Sequence, residues 1–288
     1  MLTPIPRPEF VYKYGSAARI AQILRDLAFY FGPAAPQNDL FEFRARSLFT
    51  EDEETKFRVF AKFLVVDGAY NTFDEAFAAA KQFDADAVNE TYEVLISRLN
   101  DELKQAKDHS GVTCFSSRRN DQRMWAAYGG NHTGAVIEFT TDPAHSLFAS
   151  HLSRVLYVDT KLPICPSLMF NERGEIEQLL LSFLFCVKHV DWRDEKEWRL
   201  LLLADQEQED GDRIVPFERT AITRVFLGPR IDPAEEKLIR DAAEEQTPEI
   251  PVFKRRIDPE LAYEDRVGFE IIRTFEQFEY WTRLRRPE

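Results

Sequence analysis

Apolar positions in this chain group into short strand-like runs toward both ends and fall at helical spacing through much of the stretch between. Phe10–Tyr14 (FVYKY) reads as a short strand, and Ser16 is suited to cap a helix over Ala17–Leu27, where Ile20, Ile23, Leu24 and Leu27 share one face. A second strand, Ala28–Phe31, is broken by Gly32-Pro33, and a turn-forming loop of Pro36, Gln37, Asn38 and Asp39 follows. From about Asp52 to Lys107 the spacing is helical, and Thr72 with Glu75 spells a capping box. Strands are then predicted at Val112–Ser116, Gly134–Phe139, Ser153–Val158, Trp198–Leu203, Ile222–Leu227 and Pro251–Ile257. Helices are predicted at Asp121–Tyr128, Glu175–Val187 and Asp232–Glu245, the last opened by Asp232-Pro233. The tail, Glu264–Arg286, repeats Phe269, Ile272, Phe275, Phe278 and Trp281 every three residues and ends in arginines suited to a helix carboxyl terminus.

Strands that do not alternate regularly with helices argue for an α+β fold with a mixed or antiparallel sheet. The expected organisation is a single domain over residues 1–288, with a helical insertion at 52–107 and a helical tail at 263–288. No internal repeat or low-complexity linker divides the chain.

Composition adds constraints. The formal net charge of −13 repels phosphate backbones in general, so nucleic acid is not favoured as a partner. Local basic groups survive that objection: Arg118-Arg119 with Arg123, Lys254-Arg255-Arg256, and Arg283-Arg285-Arg286. Cys114, Cys165 and Cys186 are odd in number and widely spaced, which argues against a disulfide framework and a structural zinc site. The beginning of the chain lacks a basic-then-apolar signal, and no apolar run reaches the length of a membrane span, so a cytoplasmic protein is expected.

Two stretches carry candidate chemistry. Between the strands at 112–116 and 134–139 lie Arg118, Arg119, Asp121, Arg123, Trp125, Tyr128, Asn131 and His132, a density of hydrogen-bonding groups that reads as one wall of a site. In VDWRDEKEWR (190–199), an extended Glu197–Leu203 would put Glu197 and Arg199 on one face and Trp198 and Leu200 on the other. An ion-paired sheet edge explains the same pattern. Glycine-rich phosphate loops, the Gly-x-Ser-x-Gly elbow and the His-Glu-x-x-His zinc motif are all missing, and the five histidines do not pair at ligand spacing. No metal is expected. A metal-dependent nuclease using Asp121, Glu138 and Glu197 would need carboxylates at ligand spacing, which they lack.

The succession YKY, FYF…NDLFE, CFS…MWAAYGGNHTGAVIEF, a Val-Leu-Tyr strand, EKEWRL and VFLG resembles the family called DUF2971, over roughly Tyr12 to Val252. Leu40 stands where that family has the proline of Asn-Asp-Pro-Phe-Glu. The opening order of strand, helix, strand and polar loop is also similar to ADP-ribosyltransferase domains, and this second resemblance implies NAD as cofactor. It implies that Lys13 or Tyr14 meets the nicotinamide ribose, Lys13 standing where that pattern has His or Arg. Tyr30, or the loop with Asn38 and Asp39, would hold the nicotinamide, and Glu197 or Glu195 would be the late glutamate. Such a carboxylate orients the ribose 2′-hydroxyl and stabilises positive charge as nicotinamide leaves. Ser116 and His132 would join the cofactor wall, with Arg118 and Arg119 on the pyrophosphate and Trp125 and Tyr128 stacking on a ring.

The expectation is therefore an enzyme that cleaves the NAD glycosidic bond, as an ADP-ribosyltransferase with an unidentified macromolecular acceptor or as a glycohydrolase. The alternative is a non-catalytic module in bacterial stress or phage defence that binds a nucleotide, nucleic acid or protein. It would keep the aromatic and arginine wall and have no need of Glu197.

Overall fold

Short strands and helices make up the computed structural model, which describes residues 7–33, 52–142, 144, 147–148, 152–159, 185–204 and 209–255. In chain order these are β1 (Phe10–Gly15), α1 (Ala17–Asp26), β2 (Ala28–Tyr30), β3 (Gly32–Pro33), α2 (Glu53–Val66), α3 (Phe73–Ala80), α4 (Ala85–His109), β4 (Gly111–Ser116) and α5 (Gln122–Ala127). There follow β5 (Ala135–Thr140), β6 (Leu152–Arg154), β7 (Leu156–Val158), β8 (Val187–His189), β9 (Glu197–Leu202), β10 (Ile214–Pro216), β11 (Ile222–Leu227), α6 (Pro233–Glu244) and β12 (Val252–Lys254). The fold is α+β with mixed strand pairing.

Helix starts follow local chemistry. The Asp52 carboxylate accepts from the Thr55 N–H, the Thr72 hydroxyl from Glu75, and Asp232 from Ala234 with Pro233 in the first turn. Each such cap is worth about 1 kcal/mol, because it satisfies a backbone donor that no helical carbonyl can reach. Helix α1 stops at Asp26 because Leu27 turns left-handed (φ 47°), one residue earlier than the apolar spacing predicts. Val187, expected to end a helix, instead opens β8. The rest of that predicted helix lies outside the described residues except at 185–186, and so do Asn38, Asp39, Cys165 and the tail.

The chain divides into two compact units, the first of residues 1–11, 26–117 and 141–221, the second of 12–25, 118–140 and 222–288. In the first unit β4 pairs antiparallel with β3 and β9, and β9 with β6. The ribbons β2–β10 and β7–β8, antiparallel and parallel respectively, belong to the same unit. Its aromatic core joins Phe29 to Phe217 (stacked, 4.4 Å between centroids) and to Phe115 edge-on at 5.3 Å. Helices α2–α4 pack around Phe60, Leu64, Ala76, Ala80 and Val88. At the end of α4, buried Arg213 donates to the carbonyls of Asp108, His109 and Ser110, at 3.1–3.2 Å. A cation there satisfies orphan carbonyls and opposes the negative end of the helix dipole.

The second unit orders its strands β12–β11–β5–β1, with β12 parallel to β11 and β11 antiparallel to β5. Its chain segments approach so closely that a side chain at Gly134 would collide with the Gly15 carbonyl, and one at Gly228 with the His132 carbonyl.

Candidate functional site

In the first unit the reactive groups gather where β9 begins. Val190–Glu195 forms a turn of 3-10 helix, and Lys196, left-handed at φ 48°, ends it and releases the chain into β9. Alternation along the strand then puts Glu197 and Arg199 on one face, and Cys114 of β4 sits in register with Arg199. All three side chains meet. Arg199 grips Glu197 with two donors, Nε to Oε1 at 2.8 Å and Nη2 to Oε2 at 3.1 Å, and its Nη1 donates to the Phe185 carbonyl at 2.7 Å. Lys188 Nζ bridges Glu197 Oε2 (3.1 Å) and Glu195 Oε2 (2.7 Å), lying 4.7 Å from the Trp192 ring centroid. Tyr157 accepts the Glu197 N–H at 2.9 Å, and Ser116 donates to the Glu195 carbonyl at 2.6 Å.

Two carboxylates and two cations balance, and Glu197, Arg199 and Lys188 are all buried. Burial by itself pushes the Glu197 carboxyl up. The Arg199 guanidinium, the Lys188 ammonium and a hydrogen bond from the Cys114 thiol outweigh it and hold Glu197 at about 2. Glu197 is thus an anion throughout the neutral range and does not exchange a proton there. Burial raises Tyr157 to about 12, so its phenol stays neutral.

The second unit gathers aromatic rings and arginines. Tyr14, buried, holds its hydroxyl 2.7 and 2.6 Å from the Arg118 and Arg119 carbonyls, and the Trp125 indole N–H donates to the Arg119 carbonyl at 3.0 Å. Burial, first of all, pushes the Tyr14 phenol far up, so it keeps its proton. Tyr14 meets Trp125 edge-on at 5.5 Å, and the His132 ring lies nearly parallel to Trp125 at 6.4 Å. With its backbone fixed in this way, Arg119 lays its guanidinium over Phe226 at 4.6 Å, and Arg255 lies over Trp125 at 5.6 Å. Asp121 caps α5 and pairs at 3.4 Å with both Arg118 and Arg123. Buried Glu138 accepts from Arg224 and from the Thr223 hydroxyl, each at 2.6 Å, and from Tyr12. Arg230 is exposed, and neither it nor Arg119 has a carboxylate partner among the described residues.

The residues singled out in the sequence therefore fall into two sets. Glu197 and Ser116 lie together in the first unit, and Tyr30 is in the same unit at the end of β2, its hydroxyl donating to Asp210 at 3.2 Å. Lys13, Tyr14, Arg118, Arg119, Trp125, Tyr128 and His132 belong to the second. Trp125 is fully enclosed, whereas Tyr128 and His132 are half-buried. Sequence reasoning missed Lys188, Arg224 and Arg230. Lys188 carried a signal, a lone cation in the apolar run FCVKHV; Arg224 and Arg230 are ordinary-looking positions whose neighbours come from distant segments.

Among the described residues no helix is long and apolar enough to cross a membrane, and no group of three or more His, Cys, Asp or Glu residues is arranged to hold a metal ion.

The family model DUF2971, described as a protein of unknown function, matches residues 124–200, from the helix that carries Trp125 to the strand that carries Glu197 and Arg199. No curated protein and no solved structure matches the chain.

Proposed function

We propose that the protein binds a nucleotide-type ligand bearing a pyrophosphate, NAD being the representative, through the arginine and aromatic surface of the second unit. The observation that supports this most is the way the arginines are held. Arg119 lies against the Phe226 face with its Nε on the Asn120 side-chain carbonyl oxygen, an arrangement that orients its remaining in-plane N–H groups for phosphate oxygens. Arg230 adds an exposed cation next to the His132 turn, its backbone N–H bonded to the His132 carbonyl. The net negative charge of the chain falls almost wholly on residues of the first unit, so the second does not repel an anion. Half-buried Tyr128 suits base stacking better than enclosed Trp125.

Calorimetric titration of the protein with NAD and with ADP-ribose tests the proposal. Wild type should bind, more weakly as salt is raised, and an Arg119→Ala/Arg230→Ala double variant should lose about tenfold or more in affinity. Absence of binding by wild type at millimolar ligand overturns it.

A second reading, cleavage of the NAD glycosidic bond, is favoured by one observation: Lys196 is held left-handed between two carboxylates, and such backbone strain gathers at functional sites. Against it, the Glu197 oxygens already accept from Arg199, Lys188 and Cys114, so little is left to receive a ribose hydroxyl. Nicotinamide release by wild type and Glu197→Gln, with and without cell extract supplying an acceptor, decides it. Release that vanishes in the variant would establish catalysis; none from either protein would leave binding alone.

A further inference from the structure

Glu138 lies within β5 and is almost wholly enclosed, yet the arginine it holds is not: the Arg224 side chain is 40% exposed. One carboxylate oxygen accepts both the Arg224 Nε and the Thr223 hydroxyl at 2.6 Å, and the Tyr12 phenol donates to the same carboxylate. Burial, then the Glu138 charge, pushes that phenol up to about 12, so Tyr12 stays neutral and gives the arginines no counter-charge. A guanidinium carries more N–H donors than one carboxylate accepts, and Arg224 has no second carboxylate among the described residues.

Alternation along β11 puts Phe226 on the same face as Arg224. Phe226 is the ring on which the Arg119 guanidinium lies, its Nε tied to the Asn120 side chain at 3.2 Å. The two cations therefore flank one spot, and the charges of both reach the Tyr12 phenol. One carboxylate against two guanidiniums leaves a positive excess there. In register with Phe226, on β12, Phe253 stacks against it at 6.0 Å and is 52% exposed. A large ring half in water, beside that excess charge, suits a ligand that carries a flat ring next to an anion.

We propose that Arg119 and Arg224 grip the ligand's phosphates between them and that Phe253 stacks one of its rings, with Glu138 as the positioning residue that fixes Arg224. This rests on the binding reading given above, to which it adds Arg224, Glu138 and Phe253. Each guanidinium is already held through Nε, so its outer N–H edge meets phosphate oxygens with little side-chain freedom left to lose. NAD carries two flat rings, so Phe253 takes one without displacing the other from Tyr128.

NAD and inorganic pyrophosphate are the probes, the first followed by calorimetry and the second by its displacement of NAD. Arg224→Lys keeps the charge and a partner for Glu138 but loses the fork, and it should weaken both probes about tenfold. Phe253→Ala, at an exposed position, should weaken NAD about fivefold and leave pyrophosphate unchanged. If Arg224→Lys also lowers the urea unfolding midpoint, Arg119→Lys, at a residue with no carboxylate to lose, should show the same tenfold loss by itself. NAD affinity unchanged in both lysine variants, or pyrophosphate that fails to displace NAD, overturns the paired grip. Equal loss of both probes in Phe253→Ala, or loss of neither, overturns the stacking. In each of these cases NAD binding by the second unit still stands. Failure of NAD to bind wild type overturns this inference together with the reading it rests on.

Discussion

Arg199 in the first unit and Arg119 in the second are the same side chain put to opposite uses. Arg199 is fully buried, and its donors close on Glu197 and the Phe185 carbonyl. Arg119 bonds Asn120 through Nε and lies flat on Phe226, with no carboxylate among the described residues to neutralise it. The first arrangement is electrically balanced and internal, which makes it a strut. The second sets a cation on an aromatic support, and the proposed anion binding rests on that arrangement. Burying an ion pair gives little net stability, but breaking one after it is buried is costly. Function is therefore easier to find among charges the fold has left uncompensated than among those it has enclosed.

The largest effect should come from breaking the enclosed pair. Arg199→Met leaves Glu197 buried with Lys188 as its remaining cation and should cost about 3–5 kcal/mol in urea unfolding. Adding Glu197→Leu should restore part of that loss, since two apolar groups need no partners. A single variant as stable as wild type would remove the strut from the comparison. Acid titration should give a smaller, graded effect. The folded protein holds Glu197 ionised down to about 2 against an ordinary 4.5, so the resulting stability is fully present above about pH 4.5 and disappears as pH falls toward 2. The stability gap between wild type and Glu197→Gln should accordingly narrow over that window; a constant gap would mean that the charge of Glu197 contributes nothing. The smallest stability effect belongs to Arg230→Ala, which should leave the unfolding midpoint unchanged while weakening NAD binding. A variant that unfolds early would show that the exposed arginine is structural after all.

Much of the first comparison was legible in the sequence. Period-two alternation is a local property, so Glu197 and Arg199 could be placed on one face of a strand before any fold was known. The Thr72 cap and the Asp232-Pro233 helix start were equally local, whereas the Asp52 cap was read only as the approximate start of helical spacing. Lys188 was harder, because it reaches Glu197 only through the turn at Val190–Glu195 that brings the Lys188 side chain to the start of β9. The second unit's arginines were hardest. Arg255 and Trp125, or Arg230 and His132, meet because strands distant in the chain lie side by side, and no spacing rule encodes that proximity. The division into two units was hidden as well. The chain alternates between them within short stretches such as Ser117–Arg118 and Thr140–Thr141, where no flexible linker composition marks a crossing.

The sequence by itself determined the α+β class, the helical character of the 52–107 region with its Thr72 cap, the polarity of β9 and the concentration of polar and aromatic groups between β4 and β5. Each depends on contacts within a turn or two of chain, where propensity and periodicity act. Only the tertiary structure decided that Glu197 would be enclosed by Arg199 and Lys188, that Trp125 would be covered, that Arg119 would lie on Phe226, and that Arg230 and Arg255 would come close to His132. Those outcomes depend on which distant side chains arrive to neutralise a charge or cover a ring, and that is settled by packing rather than by the order of residues along the chain.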